Sequence, residues 1–96
     1  MNVSKIVKLH KTLSDATRWE IFNAIWQHPG LSGKELLVEF KITQPTLSFH
    51  LNKLEQSGIV IVKKEGQSHY YYPSITLLEE MIKYGQEALA AAKKSR

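Results

Sequence analysis

The sequence predicts a mainly α-helical domain with one β-hairpin placed before its last helix, and three observations carry that expectation. Apolar residues recur at helical spacing in four successive segments, punctuated by residues able to cap helices. Between residues 59 and 73 the period switches to β-branched and aromatic runs around a polar stretch. Helical spacing then returns over residues 75–92.

Each element follows from its own residues. Residues 3–12 place Val3, Ile6, Val7 and Leu9 or His10 at helical spacing, with Lys5, Lys8 and Lys11 between them. Ser14 and Asp15 offer an N-cap, because their short oxygens accept the unpaired backbone N–H groups of a new helix. Trp19, Phe22, Ile25 and Trp26 form the next expected buried stripe, which stops at Pro29-Gly30. Ser32-Gly33-Lys34-Glu35 has the form of a capping box and opens a short helix expected to bury Leu36, Leu37 and Phe40. Lys41 and Ile42 make a turn, Thr43 caps the following helix, and Pro45 is tolerated in its first turn. Leu47, Leu51 and Leu54 are that helix's buried stripe, and Ser57-Gly58 closes it.

Ile59-Val60-Ile61-Val62 and His69-Tyr70-Tyr71-Tyr72 read as two strands, the second ended by Pro73. The polar segment from Lys63 to Ser68 between them contains the turn glycine Gly66. In the last helix Ile75, Leu78, Met81 or Ile82, Gly85, Leu89 and Ala92 fall on one side, and Lys93-Lys94-Ser95-Arg96 is expected to fray.

Composition bounds the function. The 96 residues make one domain, 1–96, with a modest core. Thirteen Lys+Arg against nine Asp+Glu leave a net charge of +4, which favours a polyanionic partner. With no cysteine there is no disulfide framework, thiolate metal site or cysteine nucleophile. The first ten residues lack the apolar core of a signal peptide, and no apolar run approaches the ~20 residues of a membrane span. A cytoplasmic protein with no membrane partner is expected. No Ser/His/Asp order, catalytic carboxylate pair or phosphate loop is present, so the chain is read as a non-enzyme with no cofactor.

A short helix, a tight turn and a longer helix form a helix-turn-helix unit, and the hairpin behind it, about residues 59–73, is a wing. The fold is thus α-α-α-α-β-β-α, a winged helix-turn-helix. Its fourth helix presents Gln44, Pro45, Ser48, Phe49 and Asn52 opposite its leucines, with Thr46 between the two faces. Gln and Asn suit bidentate bonds to adenine, Ser either donates or accepts, and an apolar side chain meets the thymine methyl. No acidic residue interrupts that face through Asn52. A plain polar surface helix would look similar, and Phe49 could instead pack on a neighbouring helix. Lys41, Lys53, Lys63, Lys64 and His69 flank the helix or sit in the wing and suit phosphate contacts, with Glu65 reducing the charge there.

Leu13-Ser14-Asp15-Ala16-Thr17-Arg18, the run from Gln44 to Leu51, the run from Leu54 to Val60, and Lys64-Glu65-Gly66-Gln67 leading to Tyr70-Tyr71-Tyr72 resemble the ArsR family of bacterial winged-helix repressors. The resemblance covers roughly residues 6–74 in order and spacing. It implies a symmetric dimer built from the first and last helices, and repression at a promoter operator. It also implies that Gln44, Thr46, Ser48, Phe49 and the wing match the DNA-contacting region. Phe49 departs from the Arg or His often found there, so a different base preference is expected.

Metal sensing does not carry over. The family's cysteine pair at the start of the third helix corresponds to Leu31-Ser32-Gly33-Lys34-Glu35, and the last helix has no Asp or His. Glu79, Glu80 and Glu87 alone make a poor transition-metal site. His10, His28, His50 and His69 include no pair at i, i+3 or i+4, so no metal site is assigned. A pairing of His10 with a histidine of a second copy stays open.

Apolar positions on the helices at about 3–12 and 75–92 exceed what a small core covers, and Gly85 with Ala88, Ala90, Ala91 and Ala92 allows close helix approach. The expected function is a homodimeric, sequence-specific DNA-binding transcriptional regulator, a repressor on an inverted-repeat promoter operator, with an unidentified small-molecule or protein effector or none. The alternative is a winged helix used for protein interaction or RNA binding.

Overall fold

The computed structural model describes residues 2–94. Helix α1 (Val3–Leu13) is capped by Asn2, whose Oδ1 accepts the Lys5 N–H at 2.8 Å. Helix α2 (Ala16–Gln27) is capped by Asp15, which accepts the Arg18 N–H at 2.9 Å. Strand β1 (Leu31–Ser32) leads directly into α3 (Gly33–Phe40). Ser32 and Glu35 form the expected capping box, each side chain accepting the other's backbone N–H, at 3.1 and 3.0 Å. Helix α4 (Gln44–Ser57) starts at Thr43, with Pro45 in its first turn, and closes at Gly58 in the left-handed conformation (φ 85°). Strands β2 (Val60–Glu65) and β3 (Ser68–Pro73) precede α5 (Ile75–Lys94).

The expected order of elements is thus present, with one addition. β1 pairs antiparallel with β3, Leu31 opposite Tyr71 and Ser32 opposite Tyr70, so the sheet has three strands in the order β1-β3-β2. Two residues are too few to carry a period, which is why this strand leaves no trace in the sequence. The hairpin is also longer than its polarity suggests. Lys63, Lys64 and Glu65 lie in β2, opposite Tyr70, His69 and Ser68, and the turn shrinks to Gly66-Gln67. Ladder bonds are made by the backbone, so polar side chains continue a strand wherever they face water. Gly66 takes the positive φ, 59°, that a tight hairpin turn requires.

Leu9, Ile21, Ile25, Leu36, Leu54, Ile59 and Val60 are almost fully buried and bring α1–α4 and the sheet to one core. Leu47 and Leu51 join them, as the α4 stripe predicts, while Leu37 and Phe40 are only partly buried. Two stripes differ from expectation. On α2 the buried face is Ile21, Phe22, Ala24 and Ile25, whereas Trp19 and Trp26 stay about half exposed. That face turns to α4 and β3, which rotates the indoles to its rim. On α5 the core is met by Leu77, with Leu78 and Met81 packed beside it, and Ile75, Ile82 and Leu89 are left in solvent. The Ser74 hydroxyl starts this helix by accepting the Leu77 N–H at 3.2 Å. Lys93 and Lys94 are helical, and the remainder of the expected frayed tail, Ser95 and Arg96, lies outside the described residues, as does Met1. The molecule extends 52 Å along its longest axis against 24 and 22 Å on the others, and no α5 residue beyond Met81 reaches the core.

Candidate nucleic-acid interface

The exposed face of α4 follows from its buried one. Leu47, Leu51 and Leu54 hold the helix on the core, which directs Gln44, Ser48 and Asn52, each four residues on, to solvent. These three side chains have no hydrogen-bond partner among the described residues. Pro45 and Thr46 are also exposed, but the Thr46 hydroxyl accepts from that of Thr43 at 2.8 Å, within the helix cap.

Phe49 is 53% exposed and is not an isolated apolar side chain. The Arg18 guanidinium lies 5.7 Å and the Lys53 ammonium 5.6 Å from its ring centroid, both within cation–π range. Arg18 is itself fixed. It donates to the Thr12 carbonyl at 3.0 Å and, through Nε, to Nδ1 of the buried His50 at 3.4 Å. The His50 ring meets Phe49 edge to face at 5.6 Å. The Asp15 carboxylate lies 4.0 Å from His50 Nδ1, beyond hydrogen-bond distance. Its chief tie is the Arg18 backbone N–H, which holds the Asp15 carboxyl below its ordinary pKa, assisted by the neighbouring His50 and Arg18 side chains. Arg18 is the residue that sequence reasoning missed here. It was visible in the Ser14–Arg18 run, but only tertiary packing carries it to Phe49.

The wing lies beside the same helix. Between α4, the start of α3 and the hairpin runs an open groove of about 650 Å³, lined by Gln44, Ser48, Gln67 and His69 among others. The two wing lysines are not equivalent. Strand alternation puts Lys64, directly opposite His69, on the face that carries buried Tyr71. Lys63 takes the other face, its ammonium 4.8 Å from the Tyr72 ring centroid. Lys41 is exposed at the end of α3, with the left-handed φ of 51° that makes the turn into α4. All eleven candidate residues — Lys41, Gln44, Pro45, Thr46, Ser48, Phe49, Asn52, Lys53, Lys63, Lys64 and His69 — are exposed. The structure brings α4, the groove and His69 of the wing together, with Lys63 and Lys64 on opposite faces of the hairpin.

No helix is long and apolar enough to cross a membrane, among the described residues. Nor do three or more His, Cys, Asp or Glu gather as a metal cluster among those residues.

Comparison with known proteins gives these features a context. Residues 13–63 match a family model described as a helix-turn-helix domain. The arsenical resistance operon repressor of Staphylococcus aureus is 32% identical over 82 residues, 85% of this chain and 78% of the repressor. The solved structure of HlyU from Vibrio cholerae superimposes with a TM-score of 0.73 at 30% identity, covering 88% of this chain and 91% of HlyU. An ArsR-like transcriptional regulator from Rhodococcus shares the fold with a TM-score of 0.84 at 24% identity, over 98% of this chain and 88% of the other. These relatives are transcriptional regulators, not enzymes, and this chain belongs to the ArsR family of winged helix-turn-helix DNA-binding regulators.

Proposed function

We propose that this chain is a homodimeric repressor that reads an inverted-repeat operator through α4. The observation that carries the reading is the row Gln44, Ser48 and Asn52: three unpartnered hydrogen-bonding side chains on one helix face, with cations on either side. In a major groove such a row bonds base edges, and Phe49, steadied by Arg18 and Lys53, is placed to meet a thymine methyl. Lys64, His69, Lys41 and Lys53 contact phosphates. Lys63, on the far face of the wing, contributes less. The likeness to the staphylococcal repressor supports repression as the direction of control, and the cytoplasm is where such an operator would be met.

The dimer is supported by α5. Ile75, Ile82 and Leu89 recur every seven residues, with Leu78, Gly85 and Ala92 at the alternate positions, which is a coiled-coil seam. Ile75, Ile82 and Leu89 are 67%, 60% and 57% exposed, so the seam is uncovered in one chain. A second copy across a two-fold axis covers it and sets two α4 helices about one DNA turn apart.

The test is a gel shift on the DNA upstream of the coding region. Gln44→Ala and Ser48→Ala each weaken binding to that DNA by about five- to a hundredfold, the value of about 1–3 kcal/mol for one good base contact. Binding to a random duplex changes little. Binding that is independent of sequence and indifferent to both substitutions would overturn the reading in favour of a protein-interaction or RNA-binding module.

A further inference from the structure

We propose a second phosphate-binding surface, on the flank of α4 opposite the wing, built by α1 and α2 and gripping duplex DNA on the other side of the recognition helix. The proposal rests on the DNA-binding reading above and adds α1 to the footprint. Its basis is an open trough of about 580 Å³ between α1, the start of α2 and the second half of α4. Lys8, Lys11, Arg18 and Lys53 all line it, together with Val7 and Gln56, and none of its lining residues carries a carboxylate. Asp15, three residues before Arg18, is engaged as the cap of α2. Of the three lysines on α1, Lys5 pairs with Glu80 of α5 at 3.5 Å, whereas Lys8 and Lys11 have no ion-pair partner among the described residues.

The arrangement matches what surrounds a helix in a major groove. An α-helix with its side chains is about 10–12 Å across, and the groove is about 12 Å wide, so a sugar-phosphate strand runs along each side of the helix. On one side of α4 stand the groove and the wing, with His69 lining the groove and Lys64 opposite it in the hairpin. On the other stands the trough. The two sides meet through Phe49 and Lys53, since Lys53 lines the trough and lies on the Phe49 ring. Lys8 and Lys11, three residues apart, are neighbours on one face of α1 and so can meet the same strand. Arg18, held by Thr12 and His50, offers a guanidinium that is already oriented, so little freedom is lost on contact. A small organic anion would need an enclosed site, whereas this trough is an open channel beside α4.

The experiment is fluorescence anisotropy with a random-sequence duplex of about 30 bp, titrated between about 50 and 200 mM salt, because phosphate contacts are read without an operator. Lys8→Ala/Lys11→Ala is compared with the unmodified protein, with Lys8→Arg/Lys11→Arg, and with Lys83→Ala/Lys93→Ala, which removes the same charge from α5. The alanine pair on α1 is expected to lower the salt slope by about two units and shrink the salt-induced loss of affinity roughly tenfold. The arginine pair and the α5 pair are expected to keep the original slope. An α1 pair whose slope is unchanged, or falls only as far as the α5 pair's, overturns the proposal and leaves the DNA-binding reading standing. An unmodified protein that binds neither this duplex nor its own upstream DNA removes both.

Discussion

Ile82→Ala separates dimerisation from folding, and its size can be worked from exposure. Ile82 is 60% exposed in the single chain, so the monomer has little of its burial to lose. Full burial of an isoleucine side chain is worth about 1.5–3 kcal/mol, so covering the exposed part in a dimer is worth about 1–2 kcal/mol per copy. A two-fold interface contains each residue twice, so one substitution removes about 2–4 kcal/mol from association. At about 1.4 kcal/mol per decade, the dimer dissociation constant rises by roughly 30- to 1000-fold. Sedimentation equilibrium over a concentration series reads it directly, and helical circular dichroism at high concentration checks that the fold survives. Operator affinity should fall in step with the dimer, because each half-site is then bound alone. An unmodified protein that sediments as a monomer at micromolar concentration, or an Ile82→Ala protein whose association is unchanged, refutes the α5 seam.

Further outcomes follow from the geometry. Leu54→Ala, at a fully buried position under the recognition helix, is expected to cost about 2–5 kcal/mol in chemical denaturation, and Ser32→Ala about 1 kcal/mol through loss of the capping box. Gly58→Ala forces a Cβ into the left-handed region at φ 85° and should destabilise by about 1–2 kcal/mol, although Leu77 leaves room for the atom at 3.7 Å. Lys64→Ala is expected to lower the salt slope of DNA binding by about one unit and Lys63→Ala by clearly less; equal effects would contradict the assignment of the two wing faces. Asp15 and Glu35 are both held below their ordinary pKa by capping bonds, to the Arg18 and Ser32 backbone respectively. Their contribution is therefore complete above the ordinary carboxylate range and is lost as pH falls through the depressed native values. Asp15→Asn/Glu35→Gln should flatten the acid side of the stability–pH profile, measured by thermal melts, and leave neutral pH dependence unchanged.

Much of the interface was legible in the residues because it depends on local rules. Thr43, Pro45, the leucine stripe and Gly58 delimit α4, and once Leu47, Leu51 and Leu54 face inward, Gln44, Ser48 and Asn52 must face outward. Ser32 and Glu35 announce α3 in the same way. Where periodicity was degenerate, the reading slipped. Trp19 and Trp26 share helical spacing with Phe22, so hydrophobicity alone included them in the core, yet contact with α4 and β3 selected Ile21 and Ala24 in their place. In α5 the two candidate faces overlap in sequence, and packing assigned Leu77 to the monomer while leaving Ile75, Ile82 and Leu89 uncovered.

What the chain alone determined is the order of helices and hairpin, their caps, and the polar face of the recognition helix, because hydrogen bonding and side-chain period act within a few residues. What tertiary structure decided is every relation between distant segments: β1 on β3, Arg18 on Phe49 and His50, Lys64 and Lys63 on opposite faces, and the cationic trough between α1 and α4. Such relations arise when separate surfaces compete to cover one small core, and that competition has no signature in local spacing.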